Sequence, residues 1–174
     1  KTVILNKQIP NNKNKDIKQK KFWRVKHDIY HHGFMPDINV IDENGKFGNF
    51  KFITNSIGFR DSSSRKIKYE NDGQRIIFIG DSFTEGLLVN FEDSFVGIIQ
   101  KNFEKKNIDI LNAGVSSYSP SIYYTKIKFF IDKGLKFNQL VVYVDISDIE
   151  DEALNYRIIN NKVVSLLDLE KKEP

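Results

Sequence analysis

Residues 80–82, Gly-Asp-Ser, are the part of this sequence best suited to covalent chemistry. They directly follow the apolar run at residues 75–79, which predicts a buried strand. Open α/β sheets carry their chemistry where parallel strands end, so this strand would place the Ser82 hydroxyl at such an edge. We therefore predict that Ser82 is a nucleophile. The competing interpretation is that Ser82 only caps the helix that follows.

Two later apolar runs also end in small or polar residues. Residues 108–111 lead into Asn112-Ala113-Gly114, and residues 140–144 lead into Asp145-Ile146-Ser147-Asp148. If the three predicted strands are parallel, their ends lie at the same edge of one sheet. The polar residues that follow each strand would then come together.

That combination of groups suits acyl transfer. A serine hydroxyl attacks a carbonyl carbon, and backbone N–H groups stabilise the oxyanion that forms. We expect the N–H groups of Ser82 and Gly114 to be two of the donors. The side chain of Ser147 or Asp148 would be a third element of the site, while Asp148 could alternatively cap a helix.

Several other kinds of site are excluded by the motifs. Neither G-x-x-x-x-G-K-[ST] nor G-x-G-x-x-G follows the first strand, so no phosphate-binding loop of these types begins there. The G-x-S-x-G elbow is absent because Thr84 stands at its second glycine position. The chain has no cysteine, which removes thiolate catalysis and thiolate metal sites. His31 and His32 have no third ligand at a suitable spacing, so we predict neither a metal nor a cofactor.

Three blocks of the sequence resemble the signature of the SGNH or GDSL hydrolase family. Residues 80–86 are similar to its first block, and residues 112–120 to its second. Residues 145–148 fall where the third block, G-x-N-D, should be. Residues 55–61 resemble a stretch that precedes the first block in bacterial members with an N-terminal extension. The resemblance covers residues 55–152 and implies a three-layer α/β/α parallel sheet, the flavodoxin-like SGNH hydrolase fold.

The resemblance also implies a function. In that family the serine of the first block is the nucleophile and the glycine of the second block donates to the oxyanion. It implies that Ser82 forms an acyl-enzyme and hydrolyses an acyl ester, on a small molecule or on the O-acyl groups of a carbohydrate. Two alternatives stay open: an O-acyltransferase of cell-surface polysaccharide, and a non-catalytic binding module of SGNH type. We expect a bacterial protein of the cell envelope or a secreted one.

Two departures from the family pattern bear on activity. Ser147 stands where the family has its oxyanion Asn, and nothing after residue 32 is a histidine. The family's D-x-x-H block normally follows further strands. Three explanations stay open. In the first, the base lies beyond Pro174 and the domain is truncated after its third core strand. In the second, Asp28 and His31, which form the one D-x-x-H here, supply the base as in circularly permuted members, and in the third the chain is a non-catalytic relative.

The composition is that of a folded chain with a basic leader. The 174 residues are 40% hydrophobic and 29% charged, and the formal charge of +4 is too small to indicate nucleic-acid binding. No apolar stretch approaches the roughly 20 residues of a membrane span. We predict a Lys/Asn-rich leader at residues 1–21, a partly β appendage at 22–72 and an SGNH hydrolase domain at 73–174. The oligomeric state is not predicted.

Local patterns predict how the elements are connected. Asn44-Gly45 and Asn160-Asn161 lie between apolar runs and indicate hairpins. Residues 145–152 are predicted to form an acidic loop, and Arg60-Asp61 to form an ion pair that fixes the appendage. Strands that alternate with helices predict a parallel sheet covered on both faces.

Overall fold

The structure, a computed structural model, describes residues 23–43 and 48–170. The strands in this part of the chain are β1 (Arg24–His27), β2 (His31–Phe34), β3 (Asn39–Asp42), β4 (Phe50–Ile53), β5 (Gln74–Ile79), β6 (Ile108–Asn112), β7 (Gln139–Val142), β8 (Tyr156–Ile159) and β9 (Lys162–Ser165). The α-helices are α1 (Ser82–Glu85), α2 (Phe95–Phe103), α3 (Pro120–Asp132), α4 (Ile146–Leu154) and α5 (Leu166–Glu170). None of the described helices combines the length and the apolar character needed to cross a lipid bilayer.

The centre of the fold is a three-stranded parallel sheet in the order β6-β5-β7. Ile76 of β5 faces Ile110 of β6 and Gln139 of β7, and both ladders are parallel. Helix α2 connects β5 to β6, and α3 connects β6 to β7, as parallel pairing requires. The predicted mixed α/β class with a parallel sheet is therefore confirmed.

Successive residues of β5 belong to two different apolar clusters. Ile77 and Ile79 share a buried cluster with residues of α3, including Ile127. Phe78 points the other way and packs in a cluster with Val96 of α2. Because neighbouring side chains of a strand alternate between its faces, this near-continuous apolar run buries both faces of β5.

The side chains of β7 are only partly covered by the rest of the described structure. Among the described strands β7 pairs only with β5, and Leu140 and Val142 are 38% and 46% exposed. These side chains and those of α3 line an apolar groove of about 550 Å³. The expectation of a sheet covered on both faces thus holds for β5 and is wrong for β7.

Two antiparallel hairpins precede the sheet and pack on it through aromatic rings. Strands β1 and β2 form one hairpin, and β3 and β4 form the other. The Tyr30 and Phe129 rings lie 5.3 Å apart, and the Phe59 and Phe130 rings 4.8 Å apart, so the N-terminal segment rests on α3. The predicted β3–β4 hairpin is confirmed, although its turn at 44–47 lies outside the described residues, as does the predicted leader at 1–21.

A further hairpin, β8–β9, follows α4. Its turn residues Asn160 and Asn161 have φ angles of 51° and 60°, the left-handed pair that a two-residue turn of this kind requires. The prediction of a hairpin at these residues is confirmed. The Val163 N–H donates to the Ile29 carbonyl oxygen at 2.8 Å, which ties this hairpin to the turn between β1 and β2.

Candidate active site

Ser82 is the first residue of α1, three residues beyond the last strand residue of β5. Asp81 caps this helix, since its Oδ1 accepts a hydrogen bond from the Phe83 N–H at 2.9 Å. The Ser82 hydroxyl donates to the other oxygen of Asp81 at 3.2 Å. Ser82 itself is only half-buried. The candidate nucleophile is therefore accessible and is oriented by a carboxylate that the helix start holds in place.

Two glycines allow the segments after β6 and β7 to lie close to this turn. A Cβ on Gly80 would overlap the Thr84 side chain and lie 3.0 Å from the Tyr143 carbonyl oxygen. A Cβ on Gly114 would lie 2.8 Å from the Glu85 nitrogen. The three strand ends therefore come together around the turn that carries Ser82.

Asn112, the last residue of β6, ties its strand to α1. Its Nδ2 donates to the Thr84 carbonyl oxygen at 2.7 Å, and its Oδ1 accepts from the Gly114 N–H at 3.0 Å. Asn112 and Gly114 are both buried. The N–H of Gly114, predicted as an oxyanion donor, is thus engaged by Asn112 and would reach a substrate only if that bond were released.

Glu85, a buried residue of α1, holds the loop that follows β6. Its Oε2 accepts from the Ser116 N–H at 2.6 Å, from the Ser116 hydroxyl at 2.7 Å and from Arg24 at 3.0 Å. The next residue, Ser117, is exposed and has a φ of 63°. No hydrogen bond to its N–H occurs within the part of the chain that the structure describes. Motif reasoning did not single out Ser117, because only its backbone conformation distinguishes it.

Arg60 is fully buried and supports the other end of α1. Its guanidinium donates to three backbone carbonyl oxygens, those of Glu85, Gly86 and Val89. Burial lowers the Arg60 pKa to about 10. The predicted Arg60–Asp61 ion pair is wrong, since Asp61 instead pairs with Arg65 at 2.8 Å. Adjacent side chains of an extended segment point to opposite sides and do not meet.

The end of β7 leads into a helix, and the prediction of an acidic loop at 145–152 is wrong. Asp145 and Asp148 form a capping box: the Asp145 side chain accepts from the Asp148 N–H, and Asp148 Oδ2 accepts from the Asp145 N–H at 2.9 Å. Asp145 Oδ1 also accepts from the Ser147 N–H, at 2.7 Å. The Ser147 hydroxyl, predicted as a third oxyanion element, is exposed and donates to Asp145. Asp148, the other predicted element, is buried.

Three carboxylates gather where β5 and β7 end. One oxygen atom of each of Asp81, Asp145 and Asp148 lies within 4.8 Å of those of the other two. Burial, together with the two neighbouring carboxylates, raises the pKa of Asp148. Hydrogen bonds from Ser147 lower the pKa of Asp145. The cluster is continuous with the candidate nucleophile through Asp81, which binds the Ser82 hydroxyl.

The histidines lie elsewhere, on the β1–β2 hairpin. His31 Nδ1 is 2.7 Å from His32 Nδ1, and His32 Nε2 is 3.1 Å from the Ser116 carbonyl oxygen. A carbonyl only accepts, so His32 Nε2 carries the proton and His31 donates to His32. Burial lowers the His32 pKa to about 4. Asp28 is exposed and forms no hydrogen bond with His31, and within the described residues no histidine is hydrogen-bonded to Ser82.

Neither a family model nor a curated protein matches this sequence. A functional assignment therefore depends on the residues themselves and on the geometry of the three strand ends.

Proposed function

We propose that the chain is an acyl-ester hydrolase of SGNH type with Ser82 as its nucleophile. The observation that carries this proposal is the meeting of three parallel strand ends around the turn at residues 80–86. That edge is where open α/β sheets hold their ligands. The division of β5 side chains between the α2 and α3 clusters supports a three-layer, flavodoxin-like arrangement as the fuller fold.

In the proposed reaction the Ser82 Oγ attacks the carbonyl carbon of an ester. The carbon–oxygen bond to the alcohol breaks, the Ser82 proton passes through a base to the departing alcohol, and water then hydrolyses the acyl-enzyme. The N–H group of Ser82 is one candidate oxyanion donor, and that of Gly114 is a second if Asn112 releases it. Each such donor typically contributes about 3–4 kcal/mol to the stability of the transition state.

The proposed reaction also needs a base that takes the proton of the Ser82 hydroxyl. Within the described residues, Asp81 is the group that touches the Ser82 hydroxyl. A histidine is the side chain that most often takes the proton of a serine nucleophile, so the proposed catalytic state includes one. Asp81 would then orient the hydroxyl before that proton transfer. His31, with Asp28, is the candidate that the sequence supplies.

The surroundings of Ser82 are compatible with a carbohydrate ester. Phe83, the next residue, is 71% exposed, and an exposed aromatic ring can stack on a sugar face. The acyl group lies in an open setting, because Ser82 is only half-buried at the edge of the sheet. A transferase would use the same acyl-enzyme and differ only in accepting a sugar hydroxyl in place of water.

Labelling with a fluorophosphonate probe tests the proposal in the full-length protein. Wild type should be labelled and Ser82→Ala should not, because the probe reacts only with an activated serine. Ser63→Ala is the matched control, since Ser63 is exposed and distant in sequence from the site; it should be labelled like wild type. Wild type should also hydrolyse p-nitrophenyl acetate, and Ser82→Ala should not.

Two results would contradict the proposal. Equal labelling of wild type and Ser82→Ala would show that the probe reacts elsewhere. Failure of the folded wild type to react with either reagent would favour the non-catalytic binding module. Faster product release on addition of a polysaccharide acceptor, with the acyl group found on the sugar, would identify a transferase.

A further inference from the structure

We infer that Asp81, Asp145 and Asp148 form a binding site for a hard divalent cation of the calcium or magnesium class. Each residue contributes one oxygen to a group whose members lie within 4.8 Å of one another. Carboxylate oxygens are the ligands that these cations prefer, and the sheet edge between β5 and β7 brings them together. The inference concerns binding and does not depend on the proposed esterase activity.

The helix caps account for only part of the hydrogen-bonding capacity of these carboxylates. Asp145 uses its Oδ1 for the Ser147 N–H, and Asp148 uses its Oδ2 for the Asp145 N–H. Asp81 uses Oδ1 for the Phe83 N–H, while its Oδ2 receives only the Ser82 hydroxyl at 3.2 Å. Asp145 also accepts from the Asp148 N–H in the capping box. Within the described residues, Asp148 Oδ1 is left without a backbone donor.

Asp148 supports the inference through an observation that does not depend on the spacing of the cluster. Its side chain is 1% exposed, and its Oδ1 is buried with no hydrogen-bond partner within the described residues. The Tyr123 hydroxyl lies beside the Asp148 carboxyl and also reaches the Tyr118 carbonyl oxygen, at 3.5 Å. A buried carboxylate oxygen without a partner costs several kcal/mol unless a ligand or a proton compensates it. A cation in the cluster would satisfy it.

The charge balance points to a cation. Within the described residues no Lys or Arg forms a salt bridge with Asp81, Asp145 or Asp148, although five other carboxylate contacts in the chain have a basic partner. Three neighbouring carboxylates without a counter-ion repel one another. A divalent ion would neutralise most of that charge.

The spacing of the oxygens also fits such an ion. Calcium–oxygen distances of about 2.3–2.6 Å place ligands on opposite sides of the ion roughly 5 Å apart. Oxygens within 4.8 Å of one another can therefore surround calcium without large movements. Magnesium, with shorter bonds of about 2.1 Å, would need a small contraction or bridging water molecules.

Isothermal titration calorimetry of the EDTA-treated full-length protein with CaCl₂, and separately with MgCl₂, tests the site. Wild type should bind one ion per chain and its Tm should rise with ion concentration. Asp145→Asn should weaken binding by at least about tenfold, because it removes a charge at ligand distance. Asn caps a helix as well as Asp does, so this variant should keep α4. Asp148→Asn, measured in parallel, should show the same loss of affinity. With two variants, the test does not depend on the correct folding of either one.

Glu150→Gln is the matched control, because Glu150 is an exposed carboxylate on the same helix. It should bind calcium as wild type does. Ion binding is measured without an ester substrate, so a failure of the esterase proposal would be distinguishable from a failure of this one. The inference is overturned if wild type binds neither ion at concentrations up to about 10 mM, well above the weakest calcium sites of proteins. Equal affinity of wild type, Asp145→Asn and Asp148→Asn would overturn it too.

Discussion

Lys126 is a fully buried cation, and it predicts a distinctive pH dependence of stability. Its Nζ donates to the Ala113 carbonyl oxygen at 2.8 Å and to the Tyr118 hydroxyl at 3.1 Å. The Tyr118 and Phe59 rings lie 4.8 and 4.9 Å from it, and no described carboxylate forms a salt bridge with it. Burial lowers the Lys126 pKa from 10.5 to about 7, with Glu85 opposing and Arg24 reinforcing that shift.

The sign of the effect follows from which state holds the proton. Between pH 7 and 10.5 the unfolded chain keeps the Lys126 proton while the folded chain loses it, so the free energy of unfolding rises with pH. Each pH unit of this difference is worth about 1.4 kcal/mol. From pH 7 to 9 the gain is about 2 kcal/mol, because roughly half of the folded molecules still carry the proton at the lower pH. Below pH 7 both states are protonated and this contribution is flat.

Urea denaturation at pH 7, 8 and 9 measures this slope. Wild type should gain about 2 kcal/mol over the interval, while Lys126→Met should lose that gain because it has no proton to release. Lys133→Met is the matched control, since Lys133 is exposed at the end of the same helix. It should keep the wild-type slope. Absolute stabilities of the variants do not enter the comparison.

The same slope in wild type and Lys126→Met would refute this reasoning. It would mean that the buried amine remains charged in the folded protein, with the carbonyl, the hydroxyl and the rings compensating its lost hydration. A slope lost in Lys133→Met as well would likewise show that the titration does not belong to Lys126 alone.

Three further predictions concern stability. Gly97→Ala would press a methyl group against the Phe91 carbonyl oxygen and should lower the free energy of unfolding by about 3 kcal/mol in the urea assay. Gly73→Ala is its control, because the new methyl group makes only an ordinary contact at 3.5 Å. It should change the free energy of unfolding by less than about 1 kcal/mol. Arg60→Lys should lower stability by about 2–4 kcal/mol, because one ammonium cannot reach three carbonyl oxygens; a Tm like that of wild type would contradict this. His32 has a folded pKa of about 4 against 6.5 unfolded, so stability should fall as pH drops from 6.5 to 4. His32→Gln should make that fall shallower by up to about 3 kcal/mol, and an unchanged acid limb would exclude His32 as its source.

The pattern of apolar residues along the sequence predicted the three strands of the parallel sheet, because strand formation there depends on local residue types. Apolar runs that end in small or polar residues located β5, β6 and β7, and the convergence of their ends followed from parallel pairing. The helix at α4 was predicted only as an alternative, with Asp148 as its cap; in the structure Asp145 is the N-cap and Asp148 is the third residue of the helix.

Other features depend on contacts that no local pattern contains. The carbonyl oxygens that bind Arg60 belong to residues about 25–30 positions away, so the sequence showed a charged neighbour, Asp61, and not the true partners. The engagement of the Gly114 N–H by Asn112 is likewise visible only once the loop has its conformation. Which donors of the site are free is thus a tertiary property, whereas which strand carries Ser82 is a local one.

The position of β5 in the middle of the sheet has a consequence for synthesis of the chain on the ribosome. Both of its partners are made later, and its ladder with β7 joins residues about 60 positions apart. At translation rates of roughly 5–20 residues per second, several seconds separate the emergence of β5 from that of β7. Both edges of this apolar strand are unpaired until β6 emerges, and one edge stays unpaired until β7 emerges. Chaperone occupancy on nascent chains should therefore be greatest while the residues between β5 and β7 are being synthesised. The segment that carries Ser82 is synthesised early, but its surroundings are completed late.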